Sequence, residues 1–176
     1  MSLHDTSVIQ MSKMLRNMEG WLEKAEAYSK AKGFDVDVLA AARLAPDQYA
    51  LVRQVQSACD TAKFAAARLA AVDAPAHPDT EKTIAELRTR IRAVLSFLET
   101  VTPEQFAGAA EREVALAFMP GKAIKGEHYL VDFALPNFYF HTTHTYAILR
   151  HSGVELGKYD FIGHARFYDV GPGKDG

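Results

Sequence analysis

Residues 136–151 read PNFYFHTTHTYAILRH, placing three histidines and four aromatics in sixteen residues. Drawn as a helix at about 100° per residue, Asn137, His141, Thr145 and Ile148 fall within roughly 80° of one another. Leu130 and Ala134 extend that stripe upward, so Asn137 and His141 are polar residues set in an otherwise apolar face. The flanks are apolar too: Phe133, Phe140 and Ala147 on one side, and Leu135, Phe138, Tyr146 and Leu149 on the other. A helix without a polar face is either central in its fold or covered by a second subunit. This helix, spanning about Glu127 to Arg150, is therefore the centre from which the fold is read. Pro136 lacks an N–H and must kink it or restart it.

The histidines themselves are constrained by geometry. His144 and His151 point nearly the same way but sit two turns apart, about 10 Å along the axis, and cannot share a metal ion. His141 and His144, three residues apart, could share one only with ligands from elsewhere. For His141 alone, two readings stand: a core histidine hydrogen-bonded to a neighbour, or a metal ligand.

Upstream, three amphipathic patterns supply the partners such a helix needs. Val8, Met11, Leu15, Met18, Leu22 and Ala25 step by threes and fours over residues 5–31, with Asp5 as a candidate N-cap and Gly33 as a stop. Pro46 is read as opening a second helix with the stripe Leu51, Val55, Ala58, Ala62, Ala65 and Leu69, whose alanines allow close approach to a partner. Asp79 or Thr80 is expected to cap a third helix with the stripe Ile84, Leu87, Ile91, Val94, Leu98 and Val101. Glu86 and Arg90 are expected to form a solvated i,i+4 pair on its outer face. Val114, Leu116 and Phe118 alternate before Pro120-Gly121, the pattern of a short β-hairpin. The segment after Gly153 lacks helical periodicity, and its last six residues are expected to be mobile.

These elements predict an all-α four-helix bundle with a short β-hairpin between helices three and four. The 176 residues suit one compact domain, and 48% hydrophobic with 24% charged residues is the composition of a globular one. Net charge is −2 and no Lys/Arg stripe is present, which argues against a nucleic-acid partner. No apolar run approaches the roughly 18 residues that span a bilayer, and the amphipathic N-terminus is not a signal peptide, so no membrane role is expected. Cys59, the only cysteine, fits a reducing cytoplasmic location and a core role in place of a nucleophile. Asp60 points away from its helix's apolar stripe and is read as a surface or subunit-contact residue. Phosphate-loop, nucleophile-elbow, dinucleotide and HExxH motifs do not occur.

The segments QVQSACDTAK (54–63), ALPNFYFH (134–141), TYAILRHSGVELGK (145–158) and DFIG (160–163) resemble one bacterial family across residues 1–163. It is the domain-of-unknown-function family numbered nineteen ninety-three, within the DinB/YfiT-like superfamily. The resemblance implies a DinB-like four-helix bundle, often dimeric, in residues 1–163, with residues 164–176 as a C-terminal tail. Typical superfamily members hold a divalent metal through one histidine on the second helix and an HxxxH pair on the fourth. Some are thiol-dependent transferases or isomerases. Counted back from Leu149-Arg150, the second histidine of that pair falls on His141 and the first on Asn137. Gln54, before Val55, takes the second-helix position, and Gln56 is the weaker choice.

The His/His/His set therefore appears as Gln54, Asn137 and His141. Carboxamides are far weaker donors for zinc or nickel than imidazole. Either the metal is lost and the three residues form a buried hydrogen-bond network, or a ligand such as His144 rescues the site. The expected function is that of a bundle with a degenerate metal site, a non-catalytic or ligand-binding homodimer that accepts a small molecule and holds no divalent metal tightly. The alternative is a metal-dependent, thiol-dependent transferase or hydrolase using His141.

Overall fold

The computed structural model describes residues 2–169. Its first long helix, α1 (Gln10–Lys32), continues a π-helical turn at Asp5–Ile9. Asp5 is not the N-cap. Ser2 takes that role, its hydroxyl accepting from the Asp5 N–H while the Asp5 carboxylate accepts from the Ser2 N–H. Gly33 closes the helix in the left-handed conformation, its N–H bonded to the Ser29 carbonyl, as its position predicts.

The second helix, α2 (Leu51–Ala70), starts later than Pro46. Residues 44–50 instead form a turn, with the Gln48 N–H bonded to Ala45 O and the Leu51 N–H bonded to Ala42 O. Pro46 begins a turn here because the chain is held by Arg43, which donates to Gln48 O, and by side-chain contacts to the last long helix. The third helix, α3 (Ile84–Glu99), is capped by Thr83 in a reciprocal box with Glu86, not by Asp79 or Thr80. Arg90 is consequently not paired with Glu86 in solvent. It is buried, and salt-bridged to Asp60, Asp79 and Glu81.

The hairpin is present: β1 (Glu113–Ala115) pairs antiparallel with β2 (Ala123–Lys125), Val114 opposite Ile124. A single turn, α4 (Gly126–His128), and a π-helical turn at Tyr129–Ala134 lead into α5 (Leu135–His151). Gly126 is required there, because a Cβ would overlap the Ala109 carbonyl. Pro136 lies in the first turn of α5, where its missing N–H is tolerated, and the helix restarts on it after the wider π turn. A short helix absent from the periodicity, α6 (Lys158–Ile162), docks on α1. Five residues carry too few turns for a periodic signal, and this one is held by tertiary bonds from Trp21 Nε1 to Asp160 O and from Asn17 to Phe161 O.

The four long helices pack in the cyclic order α1, α3, α2, α5, with α2 and α5 the most extensive pairing. Ala58, Ala62, Ala65 and Ala66 of α2 are fully buried, which lets its backbone approach its neighbours. The core they share includes Leu15, Trp21, Leu51, Ile91, Phe138 and Leu149. The architecture is the predicted four-helix bundle, with the β-hairpin between its third and fourth long helices. Among the described residues, no helix is long and apolar enough to cross a membrane. The last six residues, expected to be mobile, lie outside the described residues.

Candidate functional site

Most of the predicted stripe faces the bundle: Leu130 and Ala134 of the π-helical turn and His141, Thr145 and Ile148 of α5 are buried, while Asn137 is half-buried. Across from it, α2 presents Gln54 and, two turns on, Thr61. His141 is 8% exposed, and its Nδ1 lies 2.8 Å from Gln54 Oε1. The Gln54 amide faces a backbone carbonyl on its other side, its Nε2 donating to Tyr49 O at 3.3 Å. A carbonyl only accepts, so the amide nitrogen must face Tyr49 and the amide oxygen must face His141. His141 is therefore protonated on Nδ1, and its Nε2 carries a lone pair with no hydrogen-bond partner among the described residues. Burial, followed by the nearby His144 and Arg53, pushes the imidazole pKa down to about 4, so the ring is neutral at physiological pH.

Asn137 takes a different partner. Its Nδ2 donates to Thr61 Oγ1 at 2.7 Å, and the Thr61 hydroxyl in turn donates to the Ser57 carbonyl at 2.7 Å. The three sequence-singled residues thus line one α2–α5 seam but form two separate bonds rather than one network. Gln56 turns elsewhere, donating to Glu81 at 2.9 Å. His144 is engaged at both nitrogens: Nδ1 lies 2.7 Å from Phe140 O and Nε2 lies 3.0 Å from Gln48 Nε2. Nδ1 must donate to that carbonyl, so the one ring lone pair, on Nε2, is taken by the Gln48 amide donor.

Three wall residues are not singled out as site residues by the sequence, where Phe140 is read only as part of an apolar flank. The Tyr49 ring lies parallel to His141 at 6.4 Å, Phe140 meets it edge-on at 5.3 Å, and the Arg53 guanidinium lies 5.8 Å over the Tyr49 ring. Tyr49 and Gln48 come from the turn ahead of α2, a stretch with no periodicity to mark its orientation. Tyr49 and Phe140 are each about half exposed, so the imidazole sits just beneath an aromatic surface. Of five surface clefts, with volumes of about 280–520 Å³, none is lined by Gln54, Asn137 or His141.

A divalent metal is poorly matched to these donors. One imidazole is available, the two carboxamides are already hydrogen-bonded, and a tight zinc site needs at least three protein ligands, normally nitrogen, sulfur or carboxylate. Among the described residues, no three His, Cys, Asp or Glu side chains converge to hold a metal ion. Cys59 offers no thiolate, since full burial pushes its pKa up to about 12. The chemistry left to this seam is that of a neutral hydrogen-bond acceptor, or weak base, framed by aromatic rings.

Residues 3–162 match the family model described as "Domain of unknown function (DUF1993)". No match was found among curated proteins. A solved structure described as a DinB family member protein from Shewanella denitrificans is 46% identical, covers 96% of each chain and superposes with a TM-score of 0.92.

Proposed function

The chain belongs to the DUF1993 family, and from that premise we propose that residues 1–163 form a non-catalytic, ligand-binding bundle whose metal site is degenerate. The observation that carries this reading is the Gln54–His141 hydrogen bond, together with Asn137 turned toward Thr61. Where the resemblance expects three imidazoles, a neutral amide orients the one that is left. The role of Gln54 is to fix the His141 tautomer so that Nε2 always presents a lone pair. The ligand this suits is a small molecule with an N–H or O–H donor beside a planar or apolar body, which Tyr49 and Phe140 would flank.

The reading includes a cytoplasmic homodimer. The dimer is supported by the half-exposed Phe140 on α5 and by Phe118, 63% exposed, packed at a tilt against Phe133 in the turn before α5. The second reading, a zinc- or nickel-dependent and thiol-dependent transferase or hydrolase, is favoured by one feature, the outward Nε2 of His141. In that case His141 would be a ligand or general base.

Elemental analysis of protein purified without chelator or affinity-tag metal, followed by zinc and nickel titration, separates the two. The proposal expects no stoichiometric metal and no tight binding. About one metal per chain, lost in His141→Ala, would overturn it in favour of the metalloenzyme. Sedimentation equilibrium tests the dimer, and a monomer at micromolar concentration would remove that part.

A further inference from the structure

The connection between α2 and α3, residues 71–83, reads AVDAPAHPDTEKT and lies against both helices through three polar side chains. Asp79 and Glu81 grip Arg90, which reaches them at 3.3 and 3.1 Å, while its Nη2 also donates to Asp60 on α2 at 2.6 Å. Glu81 is held again by Gln56, and Asp79 again by Arg53. His77 is the third grip, with its Nδ1 3.3 Å from Lys63 Nζ, a cation that also pairs with Asp60 at 2.8 Å. The Arg90 and Lys63 side chains are almost fully buried, 1% and 2% exposed.

The protonation state of His77 follows from its partner. A lysine ammonium only donates, so Nδ1 of His77 must be the acceptor and the ring must be neutral. Within this cluster Arg53, Lys63 and Arg90 balance Asp60, Asp79 and Glu81 only while that holds. The groups facing His77 are Lys63 and Asp60 from α2, Arg90 from α3 and Glu81 from the connection itself. Burial, then Arg90 and Lys63, lower its pKa against the opposing pull of Asp60 and Glu81. A proton on Nδ1 would remove the acceptor of a buried lysine and set a second cation beside it. Because the folded pKa is lowered, the stability this grip adds is complete above the ordinary histidine value of about 6.5 and is lost as pH falls through the lower folded value.

The far end of the connection reaches the candidate site. Asp79 holds Arg53, Arg53 lies over the Tyr49 ring, and that same ring lies parallel to His141. We propose that residues 72–83 are a proton-released strap: a proton on His77 breaks its contact with Lys63, frees the strap from α2 and α3, and through Asp79 and Arg53 frees Tyr49 from His141. The consequence for ligand access rests on the ligand-binding reading above, whereas the release itself does not.

The test locates the His77 midpoint from its Cε1–H resonance, then records backbone ¹⁵N heteronuclear NOE of Ala74, Ala76 and Thr80, and ring cross-peaks between Tyr49 and His141, at pH 7.5 and at one pH unit below that midpoint. His77→Gln keeps an acceptor for Lys63 and does not titrate in this range. Wild type is expected to lose strap order and the ring cross-peaks at the lower pH, and His77→Gln to keep both. Equal order at both pH values in wild type, or the same loss in His77→Gln, overturns the strap. Loss of strap order with the ring cross-peaks intact overturns its connection to the site and leaves the ligand-binding reading standing.

Discussion

His141 Nδ1 donates to Gln54 Oε1 across 2.8 Å, joining α5 to α2 at the one place where the inner stripe of α5 carries an imidazole. The amide is oriented from behind by the Tyr49 carbonyl, so the bond sets both a tautomer and a helix-to-helix register. Structure and any binding role therefore depend on the same pair.

Removing the imidazole should cost stability before anything else. His141→Ala leaves Gln54 Oε1 without its donor at a buried seam, and a loss of about 1–3 kcal/mol is expected. Urea denaturation measures it, and an unchanged midpoint would show that the bond contributes nothing to the fold.

The pH dependence follows from the sign of the shift. The folded His141 pKa, pushed down to about 4, lies below the unfolded value of about 6.5. Its contribution to stability is complete above pH 6.5 and is lost as pH falls from 6.5 toward 4. Titrating the His141 Cε1–H resonance tests this directly, and a midpoint near 6.5 would refute it. His141→Gln should flatten the acid side of the stability curve.

Restoring the imidazoles should restore the metal. Gln54→His with Asn137→His would rebuild the three-histidine set that the family resemblance implies. Calorimetry is expected to detect about one zinc per chain in the double variant and none in wild type. Zinc binding of equal affinity in both would mean that the carboxamides are not what excludes the ion.

Asp60 is shared by two buried cations, Arg90 and Lys63, through a single oxygen. Asp60→Ala would leave both short of a counter-charge, at a cost of about 3 kcal/mol. Chemical denaturation reads it, and a change under half a kcal/mol would place Asp60 in an ordinary solvated role.

Trp21, the only tryptophan, reports on α6. Its indole N–H donates to Asp160 O at 3.0 Å and its ring stacks on Phe161 at 5.4 Å. Truncation after Gly157 should expose the indole, shift its emission to the red and lower Tm by several degrees. Unchanged emission would mean that the bundle buries Trp21 without α6.

The sequence by itself determined what depends on local chemistry and periodicity. Four apolar stripes, the hairpin, the Gly33 stop and the inward direction of Asn137 and His141 all follow from residues a few positions apart. The family resemblance selected Gln54 over Gln56 on the same local basis. What the tertiary structure decided was pairing between residues distant in sequence. Arg90 looked like the solvated partner of Glu86 four residues away, but Asp60 and the α2–α3 connection offered it three carboxylates while Thr83 claimed Glu86 for a cap. Asn137 left the expected trio because the Thr61 hydroxyl, 76 positions away, came within bonding distance. Tyr49 became the wall of the site only because the turn ahead of α2 is tied to Ala42 and to His144. Helix periodicity says which face is buried. Which polar group waits there is set by how the helices cross, and polar partners are chosen by geometry that no single stretch of chain contains.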